Sequence, residues 1–173
     1  RAVAELLEQR VDELASLESL DTGKPINDAR DDVLETAMWF DFYADMGQKV
    51  RSSVIPSHKG YFNYTVRQPI GVVGLIIPWN YPLALCGLKM PAALAMGNAV
   101  LLKPAEQTPL SALALANICR EAGIPDGVVN VLPGYGTSAG RAIVEHPGVG
   151  MVSFTGSTEV GREIASLAGA SLK

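Results

Sequence analysis

The segment "GVVGLIIPWNYPLALCGLKM" (residues 71–90) joins an apolar run to a helical pattern through a short turn. Residues 71–77 contain no polar side chain, which is typical of a strand in a sheet that is covered on both faces. Pro82 suits the first turn of a helix, where the missing N–H of proline has no intrahelical partner to lose. The segment therefore predicts a strand, a turn that carries Asn80, and a helix.

The same succession occurs three more times along the chain. Runs rich in Val, Leu and Ile lie at residues 98–103, 127–133 and 150–156, and helical patterns begin at Pro82, Pro109, Ser138 and Thr158. Strands joined by right-handed helical crossovers form a parallel sheet with helices on both faces. We therefore expect an α/β fold: an incomplete, Rossmann-like, doubly wound parallel sheet preceded by an α-helical segment. Ligands of such sheets bind at the carboxyl ends of the strands.

Helical patterns also occupy the first third of the chain. Apolar residues at helical spacing predict a first helix that ends near Leu20, because "DTGKP" (21–25) supplies a glycine stop and a proline. A second helix is predicted from about residues 27–31 to Gly47. The alternating segment "YFNYTVRQ" (61–68) predicts a half-buried strand. The predicted domains are a helical segment (1–59), a bridging strand (60–70) and a truncated dinucleotide-binding domain (71–173).

Composition restricts the class of protein and of partner. The 173 residues are 48% hydrophobic and 18% charged, which is enough for one substantial core. The net charge of −4 includes no basic cluster, so we expect no nucleic-acid partner. No apolar stretch approaches the roughly 18–20 residues of a membrane span and no signal-peptide pattern follows Arg1, so we expect no membrane partner and a cytoplasmic or organellar location. The spacing of the cysteines and histidines predicts neither a disulfide framework nor a metal site.

The first two predicted strand-to-helix loops contain polar residues whose role could be either structural or functional. Asn80 could cap the helix that Pro82 opens, or its amide could stabilise an oxyanion in the crevice. In "LLKPAEQTP" (101–109), Lys103 and Glu106 could hold a ribose diol by donor and acceptor bonds, or they could form a solvated ion pair. Thr108 is expected to cap the helix that Pro109 opens.

The last two loops are rich in glycine. "PGYGTSAG" (133–140) resembles a Rossmann fingerprint with one residue too many, and we expect a tight turn near a cofactor. In "FTGSTEVG" (154–161), Gly156 and Ser157 precede a helix whose N-terminal amides could hold a pyrophosphate. A plain turn, followed by a glycine at 161 that allows close helix packing, explains the second segment about as well.

Taken together, the four loops resemble the aldehyde dehydrogenase superfamily. The matching segments are "IIPWNYPL" (76–83), "LLKPAEQTP" (101–109), "PGYG" (133–136) and "FTGSTEVG" (154–161), in the family's order and spacing. "DTGKP" (21–25) and "YTVRQPIGVVG" (64–74) also fit, so the resemblance extends over nearly the whole chain.

The resemblance implies an enzyme that oxidises an aldehyde to a carboxylic acid with NAD, or with NADP as the alternative. It assigns Asn80 to the oxyanion hole, where the amide holds the oxygen of a cysteine thiohemiacetal. It implies that the complete enzyme is a homo-oligomer, a dimer or tetramer paired through the strand at 61–68. The cofactor-binding residues that it implies are Ile77, Pro78, Trp79, Lys103, Glu106, Gly136, Gly156, Ser157 and Val160.

Two catalytic residues of the family have no counterpart in this sequence. The nucleophilic cysteine and the glutamate that activates water are expected beyond residue 173. Cys86 lies in the apolar stretch "LALCGL" (83–88) without a neighbouring base, so we interpret it as a small buried hydrophobe. Lys89 is assigned no catalytic role. Since the chain also begins inside a helical pattern, we expect part of a longer dehydrogenase, inactive in isolation; the alternative is a stand-alone nucleotide-binding or interaction module.

Overall fold

The computed structural model describes residues 1–173 and contains seven α-helices and six strands. The helices are α1 (Ala2–Gln9), α2 (Val11–Thr22), α3 (Ile26–Met46), α4 (Pro82–Ala95), α5 (Leu110–Glu121), α6 (Arg141–Glu145) and α7 (Thr158–Gly169). The strands are β1 (Val54–Ile55), β2 (Asn63–Tyr64), β3 (Val72–Ile76), β4 (Ala99–Lys103), β5 (Val129–Val131) and β6 (Met151–Phe154). No helix is long and apolar enough to cross a membrane.

Four of the strands form a parallel sheet in the order β5-β4-β3-β6. In the register of this sheet, Leu75 of β3 lies opposite Leu102 of β4 and Ser153 of β6. The chain first adds strands on one side of β3 and then crosses to the other side for β6. The predicted doubly wound parallel sheet is confirmed, and the order of its strands reverses beside β3.

The two faces of the sheet are covered unequally. Alternate residues of a strand point to opposite faces. Leu75 belongs to a large core that the sheet shares with α1 to α5, whereas Ile76 packs with Val144 of α6 and Ala168 of α7 in a small one. The fully buried large side chains of the first core include Leu7, Leu14, Val33, Leu83, Met90, Leu102 and Leu115. The N-terminal helices are therefore part of the main core.

Two helices of this core approach each other closely where α3 crosses α4. A Cβ added to Gly87 would lie 2.8 Å from the Cα of Thr36. The Thr36 hydroxyl lies 3.1 Å from the Leu83 carbonyl, which adds a hydrogen bond across the same crossing. This crossing therefore requires glycine at position 87.

The first predicted helix is in fact two helices. Arg10 leaves the helical conformation (φ −116°, ψ 25°) and separates α1 from α2. Its guanidinium pairs with Glu121 at the end of α5, a partner that local sequence does not reveal. Leu7 of α1 and Leu14 of α2 both lie in the main core. The second predicted helix is confirmed as Ile26–Met46, with Gly47 after it.

The predicted half-buried strand at 61–68 is wrong in length and in burial. Only Asn63–Tyr64 forms a strand, paired antiparallel with Val54–Ile55, and residues 51–71 are all exposed. The alternation of aromatic and polar residues needs a surface to bury against, and this chain contains none for it. The predicted domain boundaries stay a prediction.

Three of the four predicted helices after the strands begin within a residue of the expected position, at Pro82, Leu110 and Thr158. The helix expected from Ser138 is different. Residues Gly136–Gly140 form a single π turn that continues into the five-residue helix α6. Turns of this kind often occur at functional sites.

Replacing Gly87 with alanine should destabilise the protein by about 1–3 kcal/mol, because the added methyl group overpacks the crossing of α3 and α4. Urea denaturation measures the change in the free energy of unfolding. Gly169→Ala is the matched control: this helical glycine has open space around its Cβ position, and its replacement should change stability by less than about 0.5 kcal/mol. Equal effects of the two substitutions would contradict the packing argument.

Candidate active site

One cavity of about 590 Å3 opens at the carboxyl ends of the strands, where the strand order reverses. Its size is typical of a pocket for a small molecule or cofactor. All ten residues that the sequence predicted as site residues line it, although they come from four separate loops. They are Ile77, Pro78, Trp79, Asn80, Lys103, Glu106, Gly136, Gly156, Ser157 and Val160.

Asn80 does not cap the helix that follows it. The N-cap residue of α4 is Tyr81, and no local side chain makes a cap hydrogen bond there. Asn80 is exposed and lines the cavity. The helix-cap interpretation of Asn80 is therefore wrong in this structure, and its amide is free to donate to a ligand in the cavity.

The turn that carries Asn80 is tied to the neighbouring loop by Thr108. The Thr108 hydroxyl donates to the carbonyl oxygen of Trp79 at 3.0 Å, and Thr108 is only 3% exposed. The prediction that Thr108 caps α5 is wrong: Pro109 is the N-cap residue, and its helix has no local side-chain cap. The hydroxyl is used instead to connect the loops after β3 and β4.

Lys103 and Glu106 form an ion pair inside the cavity. The Lys103 ammonium lies 3.0 Å from Oε2 of Glu106. Lys103 is 3% exposed, whereas the Glu106 side chain is 35% exposed, so the solvated-pair interpretation holds for the carboxylate and not for the ammonium. The backbone N–H of Glu106 and the Lys103 ammonium both lower the pKa of the Glu106 carboxyl. The cavity therefore offers an ionised carboxylate and an ammonium side by side.

Ser157 shapes the opposite wall of the cavity. Its hydroxyl accepts a hydrogen bond from the N–H of Val160 at 3.3 Å and so caps α7. The first-turn N–H groups of a helix have no intrahelical acceptor, and the helix dipole adds partial positive charge there. The N-terminus of α7 consequently presents donors and positive potential to the cavity.

The glycines of the last two site loops have different roles. A Cβ on Gly156 would overlap the ring of Phe154, so the turn requires glycine there. A Cβ on Gly161 would lie 3.5 Å from the same ring, which is an ordinary contact. This contact does not require glycine, and the expectation that Gly161 allows close helix packing stays a prediction. Gly136 faces open space, where a side chain would reduce the cavity rather than clash with the protein.

Several residues of the cavity were not found by sequence reasoning. They are Ile76, Ala105, Thr137, Gly140, Arg141, Val144, Phe154, Thr155, Glu163, Ile164 and Leu167. The spacing of Val160, Ile164 and Leu167 marks one face of α7, and this pattern could have predicted an apolar wall. Arg141 forms an ion pair with Glu145 at 2.8 Å, which the i,i+4 spacing could have indicated.

Cys86 and Lys89 lie outside this cavity. Cys86 is fully buried, and burial followed by the nearby charge of Glu18 raises the pKa of its thiol far above the ordinary range. Burial also raises the pKa of the Cys119 thiol, to about 12. The interpretation of Cys86 as a buried hydrophobe is confirmed. Lys89 donates to the Ser153 hydroxyl at 2.8 Å, and burial lowers the pKa of its ammonium.

The model of the aldehyde dehydrogenase family matches residues 1–173. The chain belongs to the aldehyde dehydrogenase family. The family resemblance drawn from the four loops is thereby confirmed.

Known aldehyde dehydrogenases are similar to this chain in sequence and structure. Retinal dehydrogenase 2 of Homo sapiens is 48% identical over 170 residues, which are 98% of this chain and 33% of that protein. The 3,6-anhydro-alpha-L-galactose dehydrogenase of Streptomyces coelicolor is 48% identical over 163 residues, 94% of this chain and 33% of that protein. The NAD+ complex structure of the Bacillus cereus aldehyde dehydrogenase is 48% identical with a TM-score of 0.96 and covers 99% of this chain.

This chain is much shorter than the relatives that it matches. It covers 35% of the Bacillus cereus chain and 33% of retinal dehydrogenase 2. The activity, substrates and partners of those whole proteins are therefore not established for these 173 residues.

Proposed function

We propose that the chain is the cofactor-binding part of a longer enzyme that oxidises an aldehyde to a carboxylic acid with NAD(P)+. The proposed reaction proceeds through a cysteine thiohemiacetal and a thioester. The observation that carries the proposal is the shared cavity: the uncommitted amide of Asn80 lies in the same cavity as the Lys103–Glu106 pair and the N-terminus of α7. Family membership supports the reaction class.

The residues of the cavity fit a dinucleotide. The Lys103 ammonium would donate to the adenosine ribose and the Glu106 carboxylate would accept from its hydroxyls. The first-turn amides of α7, beside Gly156 and Ser157, would hold the pyrophosphate. Bound NAD+ would supply the hydride acceptor for the oxidation. The structure of the Bacillus cereus relative is a complex with NAD+.

Asn80 would act on the aldehyde oxygen. When a thiolate attacks the carbonyl carbon, negative charge moves onto that oxygen, and an amide N–H positioned beforehand stabilises it. The thiolate has to come from outside residues 1–173, because both cysteines here are buried as neutral thiols. We assign the glutamate that activates water to the same missing part. This chain would contribute the oxyanion donor and the cofactor site.

The substrate is an aldehyde whose identity these residues do not determine. Retinal dehydrogenase 2 and the 3,6-anhydro-alpha-L-galactose dehydrogenase are named after different substrates, although each is 48% identical to this chain. We also propose that the complete enzyme is a homo-oligomer, a dimer or tetramer. The exposed hairpin β1–β2 supports this, because it presents apolar side chains such as Val54 and Tyr64 beside unpaired strand edges.

In the complete enzyme, Asn80→Ala should lower kcat by about 10²–10³, since one oxyanion donor contributes roughly 3–4 kcal/mol to the barrier. The dissociation constant for NAD should change little, because the charge develops only after the attack. Steady-state kinetics and calorimetric titration measure the two quantities. Asn117→Ala, an exposed asparagine on α5, is the control. An effect of Asn80→Ala confined to thermal stability would return Asn80 to a structural role.

The Glu106 carboxylate should make the enzyme prefer NAD, because the 2′-phosphate of NADP brings negative charge to the same place. Lys103 remains available to a phosphate, so the preference should be incomplete. Glu106→Gln should raise the NADP/NAD ratio of kcat/KM, while the control Glu8→Gln on α1 leaves it unchanged. If the ratio for Glu106→Gln equals that of the parent enzyme within error, the ribose assignment is wrong.

The isolated 173-residue chain should not oxidise aldehydes, because its only thiols are buried and protonated. NADH formation from aldehyde and NAD+, followed by absorbance, tests this, with the complete enzyme as the positive control. Aldehyde-dependent NADH formation that Cys86→Ala abolishes would show that this chain contains its own nucleophile.

A further inference from the structure

Helix α2 supplies hydrogen-bond acceptors to the N-termini of two other helices. Helices α4 and α5 each begin directly after a loop of the candidate active site, and neither has a local side-chain cap. Oε1 of Glu18 accepts from the N–H of Leu83 in the first turn of α4, at 3.4 Å. Oδ2 of Asp21 accepts from the N–H of Leu110 in the first turn of α5, at 2.8 Å. Both helices are therefore capped by α2, from far away in the sequence.

Burying the Glu18 carboxylate costs free energy of folding. Glu18 is completely buried, and its second carboxylate oxygen has no hydrogen-bond partner. Lys24 lies 3.2 Å from Oε1 and also bonds Asp32 of α3. Replacing a whole buried ion pair by apolar residues is often neutral or stabilising, whereas removing one partner leaves the other charge uncompensated. Lys24 would keep Asp32 as its partner without Glu18, so pairing of the Lys24 charge alone gives no reason for a carboxylate at position 18.

The same cluster contacts the turn that carries Asn80. The Lys24 ammonium lies 4.5 Å from the centre of the Tyr81 ring, a cation–π distance. Burial alone would lower the pKa of Lys24, but Asp32 and Glu18 raise it on balance, so the charge persists. Tyr81 directly follows Asn80, and the preceding residue is held by Thr108 through its carbonyl. Asn80 thus lies between two anchors that are distant in sequence.

Asp21 holds the end of the neighbouring loop. Leu110, which donates to Asp21, is four residues after Glu106. Loss of a helix cap typically costs about 0.5–2 kcal/mol and lets the first turn open. An open first turn of α5 would release the loop that places Glu106 beside Lys103.

We propose that α2 positions both loops of the active site: Glu18 fixes the turn that carries Asn80, and Asp21 fixes the loop that carries Glu106. The catalytic consequences of this positioning rest on the proposed function, whereas the contacts between α2 and the two loops do not depend on it. Substitutions of Glu18 and Asp21 should affect different kinetic quantities. Loss of Glu18 should lower turnover, because it disturbs Asn80, and loss of Asp21 should weaken cofactor binding, because it disturbs Glu106.

The test uses the complete enzyme and paired variants. Glu18→Met removes the acceptor and the buried charge at similar length, whereas Glu18→Gln keeps an acceptor for Leu83. Asp21→Ala removes the cap of α5, whereas Asp21→Asn keeps an acceptor. The control is Glu13→Met, an exposed carboxylate on the same helix without a side-chain hydrogen bond.

We expect Glu18→Met to lower kcat about tenfold, with a modest decrease in Tm from the lost cap and an NAD dissociation constant within about twofold of the parent enzyme. Asp21→Ala should weaken NAD binding about tenfold and leave kcat at saturating NAD within about twofold. Glu18→Gln and Asp21→Asn should restore most of each loss. In an Asn80→Ala background, Glu18→Met should lower kcat no further, because both changes remove one function.

Hydrogen exchange separates this proposal from the proposed function. Amide exchange should become faster at residues 79–83 in Glu18→Met and at residues 106–110 in Asp21→Ala. If exchange responds in this way but Asn80→Ala leaves kcat unchanged, α2 positions the loops and the oxyanion assignment fails. Unchanged exchange in both loops, or equal losses of kcat, NAD affinity and Tm in both variants, would overturn the role of α2.

Discussion

The reversal of strand order beside β3 is the constraint on which the rest of the site depends. With β4 on one side and β6 on the other, the chain leaves β3 and β6 towards helices on opposite faces, and a crevice opens between their loops. Asn80, Lys103 and the N-terminus of α7 all line this cavity because each lies at or just beyond the carboxyl end of one of three adjacent strands. The chemistry of the cavity is thus a consequence of topology.

The helices that precede the sheet complete this arrangement. They enlarge the main core, and α3 crosses α4 so closely that only glycine fits at position 87. From the same layer, Glu18 and Asp21 reach the first turns of the helices that follow two of the site loops. The geometry of the loops after β3 and β4 therefore depends on residues at the beginning of the chain as well as on the sheet.

The sequence predicted what local signals encode. Apolar runs, prolines and glycines located the four parallel strands and their loops, and the loop residues identified the family. The features that the sequence did not predict depend on contacts between residues that are distant in the chain. Arg10, where the first helix breaks, pairs with Glu121. Thr108 donates a hydrogen bond to Trp79 and does not cap the helix that follows it. The burial prediction for residues 61–68 was wrong because alternating aromatic and polar residues show that one face of a strand could be buried. They do not show whether another surface is present to cover it.

A crystal structure of the complete enzyme with NAD+ and a bound substrate aldehyde would test the central claim most directly, namely that one cavity holds the cofactor and the reacting oxygen. The account predicts that Nδ2 of Asn80 lies about 2.7–3.2 Å from the substrate oxygen, with the adenosine ribose hydroxyls at Lys103 and Glu106. A substrate oxygen bound away from Asn80, or a cofactor bound outside this cavity, would contradict it.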